Sequence, residues 1–253
     1  MDTLGFLLVL FLTGLAAGFL DAIAGGGGLI TLPVLLSLGL SPQDALGTNK
    51  LQATFGSGSA TWHFAAAGQV DFRECVAGIV CTGLGAALGA VSLQQLDPGF
   101  LRRTIPWLLA AIALYTLFQP KLGQEDGRPR WNRHAFHLVF GLLRGFYDGF
   151  FGPGTGSFWA MAHMLGLGLN MIKATARTKV MNFTSNLASL AVFLAGQHVL
   201  FGAGLTMGLG QLVGARLGAR TVMVKGTRLI RPVFITMALA ITGKLLYDNY
   251  AQR

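Results

Sequence analysis

Two aspartates stand inside otherwise apolar stretches of the 253-residue chain, Asp21 in GFLDAIAGGGG and Asp148 in GFYDGFFGPGTG. A charged side chain at bilayer depth costs about 2.5–3.5 kcal/mol, so each carboxylate demands a cation, a proton or water. The chemistry this admits is a proton or cation relay, which makes both residues proton-coupling candidates. The alternative is an acceptor that holds the backbone just after it. That backbone breaks in both places, at Gly25, Gly26, Gly27 and Gly28 and again at Gly152, Pro153, Gly154, Thr155 and Gly156. Glycine has little helical preference, and proline lacks the donor that continues a helix. A helix restarting at such a break aims free N–H groups and a positive dipole end at an anion. Close packing is the competing use of glycine. It is the reading taken for Gly85 with Gly89 and for Gly210, Gly214 and Gly218, where small residues recur every fourth position.

A second polar set follows each break. Thr48, Asn49, Lys50 and Gln52 open one segment, and Arg177, Thr178, Lys179, Asn182 and Asn186 open another. Lysine supplies charge, and amides and hydroxyls supply directed donors to sulfonate or carboxylate oxygens. Asn182 and Asn186 share one helix face at this spacing. The candidate substrate-binding residues are therefore the glycines of both breaks with Thr155, together with Thr48, Asn49, Lys50, Gln52, Lys179, Asn182 and Asn186. The bland alternative makes the two lysines snorkelling residues at segment ends. Arg177 reads as a topology-setting charge.

Other chemistries lack their residues. His63 and His163 are single imidazoles within segments, His134, His137 and His198 lie near loops, and no HxxxH or His/Cys metal spacing occurs. Cys75 and Cys81 are six apart at the start of one apolar segment and read as packing residues rather than a disulfide. Neither GxSxG nor GxxxxGK[ST] is present, so no catalytic residue, metal or cofactor is assigned and the chain is not expected to be an enzyme.

The elements that must position these residues are membrane segments. Hydrophobic side chains make up 53% of the chain and charged ones only 11%, against about 25% charged in soluble domains. Ten apolar stretches are predicted, over 4–24, 26–40, 45–67, 73–93, 99–119, 135–151, 154–170, 176–196, 200–221 and 229–247. The longest polar stretch, Pro120 to His134, is too short to bury a core of its own. The N-terminus lacks the basic region of a cleavable signal peptide and is read as the first segment. A net charge of +9 does not point to nucleic acid, because the cations are scattered between apolar segments.

Those cations fall unevenly. With every segment crossing, Arg73, Lys121, Arg128, Arg130, Arg133, Lys173, Arg177, Arg216, Arg220, Lys225, Arg228 and Arg231 share one side, against Arg102, Arg103 and Arg253 on the other. The bias places both termini outside the cytoplasm. Segments 26–40 and 154–170 are short and Gly-led, and read as half-helices. Their entering and returning on one side would leave the orientation unchanged.

The chain also repeats itself. Gly18, Phe19, Asp21, Gly25 and Gly27 match Gly145, Phe146, Asp148, Gly152 and Gly154 at an offset of 127 residues, and at slightly different offsets Lys50 matches Lys179 and Gly68-Gln69 matches Gly196-Gln197. An odd number of crossings separates the copies, so they run oppositely through the membrane. The expected fold is an all-α polytopic membrane protein with two inverted-topology repeats and 8 to 10 membrane segments. Residues 1–119 form the first repeat, 120–134 a cytoplasmic linker loop, and 135–253 the second repeat.

GFLDAIAGGGGLITLP, DALGTNKLQA, GFYDGFFGPGTGSF, KATARTKVMNFTSN, GQLVGARLG and KGTRLIRP, in this order, resemble the TauE/SafE family of membrane transporters and, within it, the YfcA-like branch. The resemblance covers nearly the whole chain. It implies a multi-pass carrier of the bacterial inner membrane, with some relatives linked to sulfite, sulfoacetate or other organosulfur anions.

Three function classes make different demands on these residues. A gradient-driven carrier needs a central site between inverted repeats, broken helices and intramembrane polar groups, and the sequence supplies all of these. A passive anion channel would need a polar ring continued along its axis. A membrane enzyme or assembly factor would need a catalytic cluster or an extended soluble face. The expected function is a secondary, proton-coupled transporter of a small anion, a sulfur-containing oxyanion or organosulfonate, in the direction of export. Its partners are that anion and membrane lipids, and a second copy of the chain is compatible with the sequence.

Overall fold

Helices form where the sequence places apolar segments. The computed structural model describes residues 3–117 and 127–225. Among them are nine helices and no strand: α1 (Thr3–Ala24), α2 (Gly28–Ser37), α3 (Pro42–Ala66), α4 (Phe72–Gln94), α5 (Pro98–Leu117), α6 (Arg133–Phe150), α7 (Thr155–Leu167), α8 (Met171–Ala195) and α9 (Phe201–Lys225). The predicted tenth segment, 229–247, lies outside the described residues, as do Lys121, Arg228, Arg231, Lys244 and Arg253.

Polar caps set several boundaries. Ser41 accepts from the Asp44 amide and Pro42 occupies the first turn, so α3 begins ahead of the predicted residue 45. Asn170 accepts from the Lys173 amide and starts α8 ahead of the predicted 176. In both cases a polar first turn hides the start from an apolar pattern. The two Gly-led elements are short, 10 residues in α2 and 13 in α7. At 1.5 Å per residue they reach only about 15–20 Å, too little to cross a hydrocarbon core of about 30 Å.

The polar and apolar faces are arranged for a membrane. Val76, Val80, Leu84 and Leu88 form one fourfold-spaced face of α4 and are each more than half exposed, while Lys50, Gln52, Asn49, Ser185 and Gln211 are buried. A soluble protein does the opposite. Apolar side chains cost nothing toward lipid, whereas polar ones must find one another inside. By length and apolar composition alone, α1 and α4 qualify as spans. The helices α3 and α8 are diluted by their inward-facing polar residues.

α1 packs along α9, and α6 packs along α4. α3 lies against α9 and α8, and α8 lies against α4 and α3. Matching α1 with α6, α3 with α8 and α4 with α9 carries the α1–α9 contact onto α6–α4, the α3–α9 contact onto α8–α4, and the α3–α8 contact onto itself. Glycine sets how closely the paired helices approach: a Cβ at Gly149 would stand 1.9 Å from the Ala86 carbonyl oxygen, and one at Gly214 would stand 2.0 Å from that of Leu15. The small-residue stripes thus serve helix contact, as their spacing predicts. Cys75 and Cys81 are free thiols, the first of them buried in the core.

Candidate functional site

The two breaks meet at the centre. Gly25, Gly152 and Gly154 take φ values of +72°, +95° and +81°, a left-handed region open to glycine and strained for other residues. The turns they make bring the C-terminal ends of α1 and α6 beside the N-terminal ends of α2 and α7. Asp21 and Asp148 thereby face one cavity with Gly25, Gly27, Gly28, Gly152, Gly154, Thr155 and Gly156. α3 contributes Asn49, Lys50 and Ala53, α8 contributes Asn182 and Asn186, and α9 contributes Gln211. The cavity holds about 390 Å³ of empty volume, its open mouth included.

The charges in it are paired crosswise. Lys50 on α3 donates to Asp148 Oδ1 on α6 at 2.7 Å and also to the Asp148 main-chain oxygen. Lys179 on α8 donates to Asp21 Oδ2 on α1 at 3.1 Å and to the Asp21 main-chain oxygen. Each lysine therefore pairs with the aspartate of the other half of the chain. Both ammonium groups are buried, with side chains 1% exposed, so neither lysine snorkels to a surface. The four charges sum to zero. The partners of the two carboxylates differ: the Gly27 amide donates to Asp21 Oδ1 at 3.1 Å, whereas the Ser185 hydroxyl donates to Asp148 Oδ2. The Asp21 side chain is 20% exposed and that of Asp148 4%.

Among the sequence-predicted site residues, Gly26, Thr48, Gln52 and Lys179 are not brought to the cavity wall. The Thr48 hydroxyl accepts from the Leu200 amide at 3.0 Å. Gln52 donates to Asn49 Oδ1 at 2.7 Å, and Thr31 donates to the same oxygen at 2.6 Å, which fixes the Asn49 amide beside the cavity. The N–H groups at the half-helix starts are largely satisfied locally. Leu29 and Ile30 donate to Gly26 and Gly27, Thr155 and Ser157 to Gly152 and Gly154, and Gly156 to Gly25. Free amides are thus a smaller part of the site than the breaks suggest, and side chains carry more of it. One of these, Asn182, keeps its Oδ1 buried without a hydrogen-bond partner among the described residues.

Two residues are missing from the sequence reading, Gln211 on the cavity wall and Ser185 behind it on Asp148. Gln211 sits within the glycine stripe of α9, and Ser185 lies between Asn182 and Asn186. Gln211 is the glutamine of GQLVGARLG, and its polarity in a small-residue face is the signal that could have found it. Two further side chains turn inward. Arg177 is 8% exposed and donates to Glu74, which Arg133 also meets at 2.6 Å. His137, in the first turns of α6, is 1% exposed and packs its ring against Phe136.

Comparison with known proteins agrees with this architecture. No solved structure matches the chain. The chain is 49% identical over 96% of its length, and 95% of the relative, to the "Probable membrane transporter protein" of Haemophilus influenzae. It is 45% identical over 96% of its length, and 91% of the relative, to "Probable membrane transporter protein YfcA" of Escherichia coli K12. A more distant relative is "Probable membrane transporter protein YunE" of Bacillus subtilis, 23% identical over 96% of the chain and 98% of the relative. The family described as "Sulfite exporter TauE/SafE" matches residues 10–245. With that match spanning nearly the whole chain and relatives of this identity along its length, the protein is membrane-embedded and belongs to the sulfite exporter TauE/SafE family of membrane transporters.

Proposed function

We propose that the protein is a secondary, proton-coupled carrier that exports a small sulfur-containing oxyanion or organosulfonate across the bacterial inner membrane. The observation that carries this reading is the crossed pairing of Lys50 with Asp148 and Lys179 with Asp21 around one central cavity. Four charges that cancel hold no net attraction for an anion. Protonating one aspartate leaves a net charge of +1, and an anion then restores neutrality. Proton and anion binding are linked by that arithmetic. Coupling by this arithmetic needs a proton on one of the two candidate carboxylates, Asp21 or Asp148, and the ligand donors are Lys50, Asn49, Thr155, Asn182 and Asn186.

The inverted-repeat reading draws support from the helix contacts, which exchange with one another when the two halves are exchanged. In that arrangement the first repeat covers 1–119, residues 120–134 form the cytoplasmic linker, and both termini face the periplasm. The linker residues in view fold onto the end of α7, where the Arg130 amide donates to the Gly166 carbonyl at 2.9 Å. Passive conduction is disfavoured by the two ion pairs that close on each other around this cavity. Export of a co-transported proton and anion runs on the anion's own outward gradient.

The test is a thermal-shift screen of detergent-purified protein against sulfite, sulfoacetate, sulfate and small carboxylates, followed by flux into proteoliposomes. A ligand held by the folded state alone at a hundredfold its Kd adds about 2.7 kcal/mol of stability. An upward shift with a sulfur oxyanion and saturable flux is the expected outcome. Linear, non-saturating flux would instead establish a channel.

A further inference from the structure

We propose that the two crossed pairs do different work: Asp148 is the proton-binding group and occupies the substrate's place on Lys50 and Ser185, whereas Asp21 is a fixed anchor of the α2 N-terminus. This rests on the oxyanion-carrier reading above and names, within it, the residue exchanged for the anion.

Both carboxylates lie in the last turn of a helix, where the dipole opposes negative charge. Asp21 recovers that cost at the next helix, because its carboxylate accepts the Gly27 amide at 3.1 Å at the start of α2. Its charge is thus part of the break's backbone structure, and a proton there would weaken that bond. The Asp148 carboxylate instead meets the side chains of Lys50 and Ser185. These groups can turn without unmaking α7. Both carboxylates line the cavity, but of the two lysines only Lys50 does, so only the first pair offers a ligand its ammonium.

Protonation of Asp148 leaves Lys50 in position. The ammonium keeps the Asp148 main-chain oxygen and Asn186 Oδ1, at 3.4 Å, as acceptors. Its bond to Oδ1 loses the charge that made it strong. The Lys50 ammonium then lines the cavity, with the Ser185 hydroxyl behind it on the Asp148 carboxyl, and the anion they held is neutralised. A sulfonate offers the same two-oxygen edge as the carboxylate it replaces. Asn182 lines the same space, and its buried Oδ1 has no partner among the described residues. It fits a substrate that carries an N–H or O–H group besides its sulfonate.

The other charged groups around Asp148 have partners of their own. Lys50 touches it from α3, and Asp21 faces it across the cavity with Lys179 from α8 bound to that partner. Glu74 of α4 and Arg177 of α8 join Arg133 at the opposite end of α6, 15 residues from Asp148 and so about 22 Å along the helix. His163 of α7 meets Thr178. Arg144, one turn before Asp148 on α6, lies over the Phe158 ring.

Loading one proton and one singly charged anion leaves the cluster as neutral as when empty. Flux of a monovalent sulfonate is therefore independent of membrane potential, and each bound anion takes up one proton. Methanesulfonate, singly charged, and sulfoacetate and sulfate, doubly charged, are suitable probes because none titrates near neutral pH, and the count of one proton per anion is read with the first. Calorimetry on the purified full chain between about pH 6 and about pH 8 is expected to give affinity falling about tenfold per pH unit. Heats measured in buffers of different ionisation enthalpy report about one proton taken up per anion by the wild-type protein, a reading independent of any variant's folding. Asp148→Asn should bind with no pH slope and Asp21→Asn with the slope retained. Ser185→Ala should weaken binding about tenfold and keep the slope. Binding without proton uptake, a slope that survives Asp148→Asn, or a slope lost in Asp21→Asn overturns the assignment alone. Failure of all three probes to bind the wild type at any pH overturns the oxyanion reading and this assignment with it.

Discussion

Gly25 and Gly156 meet backbone to backbone: a Cβ on either would stand 2.3 Å from the Cα of the other, and the Gly156 amide donates to the Gly25 carbonyl at 3.2 Å. The two breaks are thereby joined into one structure, and the cavity between Asp21 and Asp148 follows from that contact.

Gly25→Ala and Gly156→Ala are accordingly expected to destabilise the protein by about 1–3 kcal/mol or more, since the opposing atoms are backbone and cannot turn aside. Gly25→Ala adds left-handed strain. Gly83→Ala is the control, because its Cβ would meet only the Thr184 methyl at 3.5 Å, an ordinary contact. Melting temperatures of the purified variants check the order: Gly83→Ala near wild type, the other two well below it.

Lys50→Met is expected to weaken anion binding about tenfold to a hundredfold or more, because a hydrogen bond to a charged group contributes about 1.5–3 kcal/mol. Lys179→Met should affect affinity less and stability more, since Lys179 does not line the cavity. Lys50→Arg should restore binding only in part, as the planar fork does not fill the ammonium's place. Calorimetry with a bound sulfonate measures all three. Equal, wild-type affinity in both Met variants would place the anion elsewhere.

Arg177 depends on Glu74. Glu74→Ala leaves a nearly buried guanidinium without its carboxylate and is expected to lower stability by about 1–3 kcal/mol. Combining it with Arg177→Met should recover part of that loss, because the stranded charge is gone. A thermal-melt double-mutant cycle reads the difference. Additive losses would mean that the pair is not coupled.

Topology has its own measurement. In a chain carrying Cys75→Ala and Cys81→Ala, a cysteine introduced beside Gln124 should resist a membrane-impermeant maleimide added to intact cells, and one placed at the C-terminus should react. The reverse pattern would invert the orientation drawn from the cation bias.

Much of the fold is readable in the residues themselves. Lipid outside and polar groups inside force long apolar segments, so composition alone points to a membrane protein. Gly and Pro interrupt helices through their own backbone chemistry, which is why the half-helices α2 and α7 fall where the sequence places them. The family is readable as well, because its motifs run along the chain in order. Helix starts such as Ser41 and Asn170 are displaced from the apolar pattern because a cap is a local polar contact.

What the sequence leaves undecided is which residues meet across the bundle. The repeat makes Lys50 the counterpart of Lys179 and Asp21 the counterpart of Asp148, but equivalence of position says nothing about partners. The structure pairs them crosswise, turns Lys50 but not Lys179 to the cavity, and brings in Gln211 and Ser185. It also turns Arg177, read as a topology-setting charge, inward to Glu74. The physical reason is one of range. Segment character is fixed by the side chains of that segment and the solvent around it, whereas a 2.7 Å contact between residues 98 apart exists only once the helices between them have packed.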